Sequence, residues 1–136
     1  MNIKTLIVDD NKLNHFVLSH LLQKNGLAST PTSFYNGTSV IENLKKWDNP
    51  IQKLLIFLDI HMPLIDGWKV LEFINKLPFR KNVSVIILTS DPSLHTKDRA
   101  LSNPSVVDFI KKPIQEEQII NILENGKYSD NSNGLN

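Results

Sequence analysis

Four short runs of largely apolar residues, each followed at once by polar side chains, constrain the fold of this 136-residue chain most strongly. The runs occupy residues 3–8, 54–58, 83–88 and 106–110. Runs of this length without strict alternation of apolar and polar residues are typical of strands that are buried on both faces, as in a parallel sheet. We therefore expect a parallel sheet whose strands end at one common edge.

Chemically active side chains follow the four runs. They are Asp9 and Asp10, then Asp59, then Thr89 and Ser90, and finally Lys111 and Lys112. Because the carboxyl ends of parallel strands share one edge of the sheet, the acids, the hydroxyls and the amines are expected to meet there. A buried carboxylate is costly unless it is paired, so Asp59 in particular predicts a functional site.

Helical patterns alternate with the strands. We predict helices at about 13–24, 39–47, 67–77, between Pro92 and Pro104, and at 115–125, and a weak edge strand at about 28–34. Apolar residues at helical spacing support these helices. Leu13, Phe16, Val17 and Leu21 form one face of the first helix, and Trp68, Leu71 and Ile74 lie on or near one face of the third. Leu94 and Leu101 mark a sparse fourth helix that we expect to be the least firmly anchored, and Ile119, Ile120 and Leu123 face inward in the last.

This order of elements predicts an α/β fold, a (βα)5 unit with a five-stranded parallel sheet that is covered on both faces. We assign it to the doubly wound, flavodoxin-like architecture, whose strand order is 2-1-3-4-5. In such sheets, ligands bind beyond the carboxyl ends of the strands where the strand order reverses, here between strands 1 and 3. Asp9, Asp10 and Asp59 end those two strands. The topology and the carboxylates therefore indicate the same crevice.

Three carboxylates that lie close together repel one another, and a divalent cation relieves that repulsion. Oxygen ligands in a chain without cysteine favour Mg²⁺, or Mn²⁺, over softer metals. A lysine and a hydroxyl from the neighbouring strands can then hold an anion. Together these groups support phosphoryl transfer to a carboxylate, in which positioning and charge neutralisation do most of the work.

The composition limits the function classes. A net charge of +1 gives no broad field for nucleic acid or an anionic membrane, and neither partner is expected. The sequence shows no signal peptide and no apolar stretch long enough to cross a bilayer, which predicts a cytoplasmic protein. We expect one self-contained domain over residues 1–126, without an output domain, and a polar, disordered tail over 127–136.

The motifs VDDN at 8–11, LDIHMPLIDG at 58–67, LTS at 88–90 and FIKKP at 109–113 together resemble the CheY-like receiver domain of two-component response regulators. The resemblance covers about residues 3–125. It implies that Asp59 is the phospho-acceptor, that Asp9 and Asp10 hold Mg²⁺ with Asp59, and that His61 adds its backbone carbonyl.

The resemblance also implies the roles of three further residues. Thr89 would bond the phosphoryl group, Lys112 would pair with it, and Phe109 would turn inward as an aromatic switch when Thr89 moves. The family's Lys-Pro bond, here Lys112–Pro113, is cis. The implied donor is a histidine kinase or a histidine phosphotransfer protein, and an effector would bind the face made by helix 4, strand 5 and helix 5.

Each residue also has a purely structural interpretation. Asp9 and Asp10 can cap the first helix, Asp66-Gly67 is most simply a turn and a helix cap, and Thr89 can bond a local backbone group. Phe109 is a core aromatic by default, and Lys111 competes with Lys112 for one role. The side chain of His61 suits a hard metal poorly, and His15, His20 and His95 are expected on the surface or on helix faces.

Three functions follow from these residues. The first is a signalling switch that catalyses only its own phosphorylation and dephosphorylation. The second is a phosphorelay intermediate or phosphate sink without an effector of its own. The third is an enzyme on the flavodoxin-like fold, which the lack of a phosphate-binding Gly-rich loop after strand 1 disfavours.

Overall fold

Strands and helices alternate along the chain in the computed structural model, which describes residues 3–27, 30–91 and 93–126. The elements are β1 (Ile3–Val8), α1 (Lys12–Lys24), β2 (Thr32–Phe34), α2 (Gly37–Lys45), β3 (Lys53–Asp59), α3 (Gly67–Ile74), β4 (Val83–Thr89), α4 (Leu94–Leu101), β5 (Val106–Lys111) and α5 (Glu116–Asn125), with a short 3-10 turn at Arg80–Asn82. The tail predicted at 127–136 lies outside the described residues.

The strands form one parallel sheet in the order β2-β1-β3-β4-β5, as predicted. β3 lies in its centre and is buried from Leu54 to its last residue, Asp59. Neighbours in β3 face opposite sides of the sheet. Leu54, Ile56 and Leu58 therefore join the core under α2, α3 and α4, whereas Leu55 and Phe57 join the core under α1 and α5. The sheet is thus covered on both faces.

The apolar face predicted for α1 is not the face that packs against the sheet. Leu13 and Phe16 are 65% and 72% exposed, and the buried residues of the helix are His15, Leu18 and Leu22. Val17 and Leu21 are half-buried. The helix carries two stripes, and the one with His15, Leu18 and Leu22 faces the sheet, where the leucines join the core and both ring nitrogens of His15 have partners.

α4 lies between Pro92 and Pro104, as predicted, but the two leucines that marked it do not face the core. Leu94 and Leu101 are exposed, and the helix buries the small residues Thr96 and Ala100 instead. In α3, Leu71 and Ile74 are buried as predicted and Trp68 is half-buried. In α5, Ile119 and Ile122 are buried, whereas Ile120 and Leu123 are only half-buried. Within the described residues no helix is both long and apolar enough to cross a membrane.

Candidate functional site

The carboxyl ends of β1 and β3 bring three carboxylates together. Val8 lies opposite Leu58 in the parallel register, so Asp9 and Asp59 follow as neighbours. Asp9, Asp10 and Asp59 can each present an oxygen so that the three oxygens lie within 4.8 Å of one another. Asp9 and Asp59 are buried, and Asp10 is exposed. The crevice predicted from the topology therefore exists and has one open side.

One lysine joins the two buried acids. Lys112, which follows β5, places its Nζ 3.1 Å from Oδ2 of Asp9 and 3.2 Å from Oδ1 of Asp59. Its side chain is only 19% exposed, whereas Lys111 is exposed. The peptide bond between Lys112 and Pro113 is cis. The structure thus brings Lys112, and not Lys111, to the acids.

Local hydrogen bonds orient the carboxylate of Asp9. Its Oδ1 accepts from the backbone N–H of Asn11 at 2.8 Å, and its Oδ2 accepts from Nδ2 of Asn14 at 3.1 Å. Asn11 is the N-cap of α1, because its side chain accepts from the N–H of Leu13 at 2.9 Å. The first helix therefore does not use Asp9 or Asp10 as its cap, and their carboxylates belong to the crevice.

Burial makes the ionised form of Asp59 costly. Desolvation, and next the repulsion from Asp9, raise the pKa of Asp59 to about 6. Lys112 and a hydrogen bond from the backbone N–H of His61, 3.1 Å from Oδ1, act in the opposite direction. Asp59 is thus charged at neutral pH, but its charge depends on partners that surround it closely.

Glycine is required where α3 begins. A Cβ atom on Gly67 would lie 2.5 Å from the carbonyl oxygen of Asp59 and 2.7 Å from Cα of Ile60. The N–H of Gly67 donates to the carbonyl of Ile60 at 2.8 Å, and Asp66 caps the helix through the N–H of Lys69. Asp66-Gly67 is therefore a helix start, as its structural interpretation predicted, and it packs directly against the backbone of Asp59.

His15 is a neighbour of the site that the sequence did not reveal. It is 5% exposed, its Nε2 lies 2.6 Å from the backbone oxygen of Asp9, and its Nδ1 lies 2.9 Å from Oγ of Ser33. The carbonyl can only accept, so Nε2 carries a proton, and Nδ1 shares a hydrogen bond with the Ser33 hydroxyl. The spacing of His15, Leu18 and Leu22 was the signal for this buried stripe.

The hydroxyl of Thr89 is held locally. Its Oγ1 accepts from the backbone N–H of Asp91 at 2.9 Å, and the Asp91 carboxylate accepts from the hydroxyl of Thr96 at 2.8 Å. The N–H of Ser93 and the hydroxyl of Thr96 lower the pKa of Asp91. Thr89 therefore lies at the site edge, and its present partner belongs to the loop that leads into α4.

Phe109 and His61 lie at opposite sides of this edge. The ring of Phe109 is half-buried against the core, and Nζ of Lys97 from α4 lies 5.0 Å from the ring centroid. His61 is exposed, and its backbone N–H donates to Asp59. The roles of both residues that the resemblance implies stay predictions.

The donor set fits a hard divalent cation. Asp9, Asp10 and Asp59 offer only oxygen, which Mg²⁺ and Mn²⁺ prefer, and the described part of the chain offers no cysteine sulfur beside them. Two of the carboxylates are buried at one open crevice, where a cation would offset the repulsion that raises the pKa of Asp59. Lys112 already supplies one positive charge to the same groups.

Comparisons with known proteins agree with this geometry. A model of the response regulator receiver domain family matches residues 5–124. The chain is 30% identical over 118 residues to the signal transduction histidine-protein kinase BarA of Escherichia coli, covering 87% of this chain and 12% of BarA. It is also 30% identical over 132 residues to the hybrid signal transduction histidine kinase L of Dictyostelium discoideum, covering 96% of this chain and 7% of that kinase.

The chain thus spans a small part of the length of these curated relatives. Among solved structures, it is similar to the receiver domain of the Francisella response regulator 1452, at 25% identity and a TM-score of 0.75. That similarity covers 96% of this chain and 99% of the Francisella chain. The sequence, the topology and the acidic crevice therefore indicate one family.

Proposed function

Because the chain belongs to the receiver domain family of two-component response regulators, we propose that it accepts a phosphoryl group on Asp59 and thereby changes its binding to a partner protein. One observation carries the proposal. Asp9 and Asp59 are buried together at the ends of adjacent strands, and both carboxylates contact Nζ of Lys112. No further acid–base group is needed, because transfer between a phosphohistidine and a carboxylate requires mainly alignment and charge neutralisation.

The reaction is a displacement at phosphorus. A carboxylate oxygen of Asp59 forms the new O–P bond while the N–P bond of a donor phosphohistidine breaks, and the bonding electrons leave with the imidazole nitrogen. Lys112 stays beside the carboxylate and pairs with the transferred group. Asp9, Asp10 and Asp59, with the backbone carbonyl of His61, would hold Mg²⁺, which neutralises charge on the phosphoryl oxygens.

The readout begins at Thr89. We propose that its hydroxyl leaves the backbone of Asp91 to bond the phosphoryl group, which releases the loop before α4. Phe109 turns inward as Thr89 moves, and the face of α4, β5 and α5 then binds an effector. Phosphorylation would thus change the charge at Asp59. The loop before α4 and Phe109, which would each have two arrangements, would transmit this change to the partner face.

Exposed apolar side chains near the acidic edge support a protein as the donor. Leu13 and Phe16 on α1 and Leu64 in the loop after β3 are 65%, 72% and 94% exposed. Exposed apolar side chains that cluster around a functional site are typical of protein contact surfaces. We therefore propose a histidine kinase or a histidine phosphotransfer protein as the donor, rather than a small phosphorylated metabolite.

The curated relatives favour a second candidate function. BarA and the Dictyostelium kinase are described as histidine kinases, the latter as hybrid, and the chain matches only a short part of each. The domain would then act as a phosphorelay intermediate, which passes the group on without an effector of its own. The two functions differ in whether phosphorylation changes binding to any protein other than the donor and acceptor.

Phosphorylation of Asp59 is tested by mass spectrometry of the intact protein after incubation with Mg²⁺ and acetyl phosphate, or with a phosphorylated histidine donor. One phosphoryl group should be added, and Asp59→Asn should abolish the addition. Asp91→Asn is the matched control, because it removes the charge of a half-buried carboxylate beside Thr89, outside the acidic crevice, and should leave the addition intact. Absence of labelling by every donor, or undiminished labelling of Asp59→Asn, would contradict the proposal.

A further inference from the structure

A second concave site lies at the opposite edge of the sheet. At the amino ends of β3, β4 and β5, a cavity of about 610 Å³ is lined by Lys53, Arg80, Lys81, Ser84, Ser105 and Val107, among others. β4 runs from Val83 at this cavity to Thr89 at the acidic crevice, a distance of about 20 Å for an extended strand of this length. The cavity is therefore separate from the site of phosphorylation.

The lining is positively charged and carries no opposing acid. Lys53, Arg80 and Lys81 contribute three cations, and none of the described residues that line the cavity is acidic. Neither Lys53 nor Arg80 has an ion-pair partner within the described ranges. Because the whole chain has a net charge of only +1, this local excess of positive charge is a property of the cavity and not of the protein surface in general.

Hydrogen bonds hold the walls of the cavity in place. Nη1 of Arg80 donates to the carbonyl of Leu77 at 3.1 Å, which fixes the guanidinium group on one side. The hydroxyl of the buried Ser105 donates to Oδ1 of Asn75 at 3.0 Å. Part of the wall is thus formed before any ligand arrives, which lowers the entropy lost on binding.

An irregularity in the sheet shapes the same wall. Val85 pairs with Val106, but the next residue, Ile86, pairs with Asp108. Val107 is therefore an extra residue in β5, and it lines the cavity. Such bulges redirect side chains and recur beside binding sites. Here the bulge places an apolar surface next to the cations.

We propose that this cavity binds a small phosphorylated organic molecule of the size of a mononucleotide. Its volume lies in the usual range of small-molecule sites. Arg80 and Lys53 suit phosphate oxygens, because charge-assisted hydrogen bonds to ionised groups are strong. Val83, Val107 and Pro104 offer an apolar surface for the organic part of the ligand. Free phosphate would leave that apolar surface without a partner.

The site is independent of the phosphorylation proposed for Asp59. Occupancy should stabilise the native protein by mass action, and it should weaken with rising ionic strength because the lysine and arginine ends are solvent-accessible. An Asp59→Asn protein should bind the ligand as well as the native chain does. This separates the present proposal from the proposed function, since either can fail alone.

The test is a titration of the full chain with AMP and, separately, with inorganic phosphate, at low salt and without Mg²⁺, followed by the backbone amide signals in NMR spectra. AMP should shift the amides of Ser84, Ser105 and Val107 in a saturable way, whereas those of Asp59 and Thr89 stay in place. Inorganic phosphate should bind at least about tenfold more weakly, since it uses only the cations.

The double variant Lys53→Gln/Arg80→Gln should weaken AMP binding by about tenfold or more, because it removes two charged partners of the phosphate. Lys46→Gln/Lys69→Gln, which removes two exposed lysines elsewhere, is the matched control and should bind as the native chain does. Three outcomes would overturn the proposal: no saturable shift at this edge, equal losses in both double variants, or shifts confined to the acidic crevice. Tighter binding of a single-stranded oligonucleotide than of AMP would assign the cations to nucleic acid instead.

Discussion

The two edges of the sheet carry their charges in different ways. At the carboxyl edge, Asp9 and Asp59 are 0% and 2% exposed, and Lys112 lies within 3.2 Å of both. At the amino edge, the exposed Arg80 and the half-buried Lys53 have no acidic partner among the described residues. The charges at the carboxyl edge are buried and depend on one another. The cations of Arg80 and Lys53 at the amino edge reach water and have no acid beside them in the described part of the chain.

The difference predicts how each edge responds to substitution. A buried charge whose partner is removed keeps the cost of its desolvation, whereas an exposed charge returns to water at little cost. Single substitutions at the carboxyl edge should therefore have large and non-additive effects on stability. Substitutions at the amino edge should have small and additive effects, although they should change ligand binding.

The largest effect is expected for Lys112→Met. The substitution leaves Asp9 and Asp59 buried together without their shared cation, so the free energy of unfolding at neutral pH should fall by about 3–5 kcal/mol. Lowering the pH should restore part of the loss, because protonation of Asp59 removes one of the two charges. Urea denaturation followed by circular dichroism, at neutral pH and near pH 5, measures both changes.

The double variant Lys112→Met/Asp59→Asn sharpens this test. If the cost arises from repulsion between the acids, Lys112→Met should cost much less when Asp59 is already neutral, which gives a coupling free energy in a double-mutant cycle. Lys111→Met is the matched control, because that lysine is exposed and precedes Lys112 directly. Equal losses in Lys111→Met and Lys112→Met would show that the charges of this edge are not coupled.

The next effect has the opposite sign. Asp59→Asn should raise the free energy of unfolding at neutral pH by about 3 kcal/mol, because burial and Asp9 raise the pKa of Asp59 from 3.8 to about 6. The folded protein holds this proton more tightly than the unfolded chain does. The native chain should therefore lose stability as the pH rises from 3.8 to about 6, and the variant should lack that loss.

Denaturation curves of both proteins across this pH range measure the effect. Asp66→Asn is a suitable control, since its carboxylate caps α3 at the same end of the sheet. If the free energy of unfolding of Asp59→Asn depends on pH as that of the native chain does, another group titrates in this range. The ionised form of Asp59 would then not destabilise the folded protein.

Most strands were predictable from the sequence because they depend on local patterns, and the strand order followed from the architecture to which those elements were assigned. Largely apolar runs identified β1, β3, β4 and β5, and the flavodoxin-like architecture to which they were assigned has the observed order β2-β1-β3-β4-β5. The meeting of Asp9, Asp10 and Asp59 followed, because parallel strands end at one edge. Periodicity did not identify the buried faces of α1 and α4. Tertiary contacts decide which face of each helix packs against the sheet.

The parts of the site that depend on single contacts were not predictable. Nothing in the sequence shows that His15 bonds the backbone of Asp9, because that contact needs β2 to bring Ser33 to the other ring nitrogen. The amino-edge cavity was also missed, since its residues are scattered from Lys53 to Val107 and share no motif. Such sites depend on distances between elements, which spacing along the chain does not give.

His15 provides a smaller test of the carboxyl edge. His15→Phe keeps a buried ring but leaves the carbonyl of Asp9 and the hydroxyl of Ser33 without their bonds, so the free energy of unfolding should fall by about 1–3 kcal/mol. Because that bond holds the backbone of Asp9, Mg²⁺ binding measured by calorimetry should weaken as well. His20→Phe, on the exposed side of the same helix, should change neither quantity, and equal effects of the two variants would contradict a specific role for His15.

The smallest change in stability is expected at the amino edge. Lys53→Gln/Arg80→Gln should alter the free energy of unfolding by less than about 0.5 kcal/mol per site, because neither cation has an acidic partner among the described residues and both groups reach water. Because Lys53 and Arg80 carry like charges at one cavity, their removal should even stabilise the protein slightly at low salt, and the gain should vanish as salt screens the repulsion. Urea denaturation at two ionic strengths, without ligand, measures this. A loss of several kcal/mol would show that these cations stabilise the fold beyond the hydrogen bond of Arg80 to the carbonyl of Leu77, and the contrast between the two edges would then be lost. A small, salt-dependent gain would instead mean that the native chain keeps mutually repelling charges at a formed cavity, which is what a site for an anion requires.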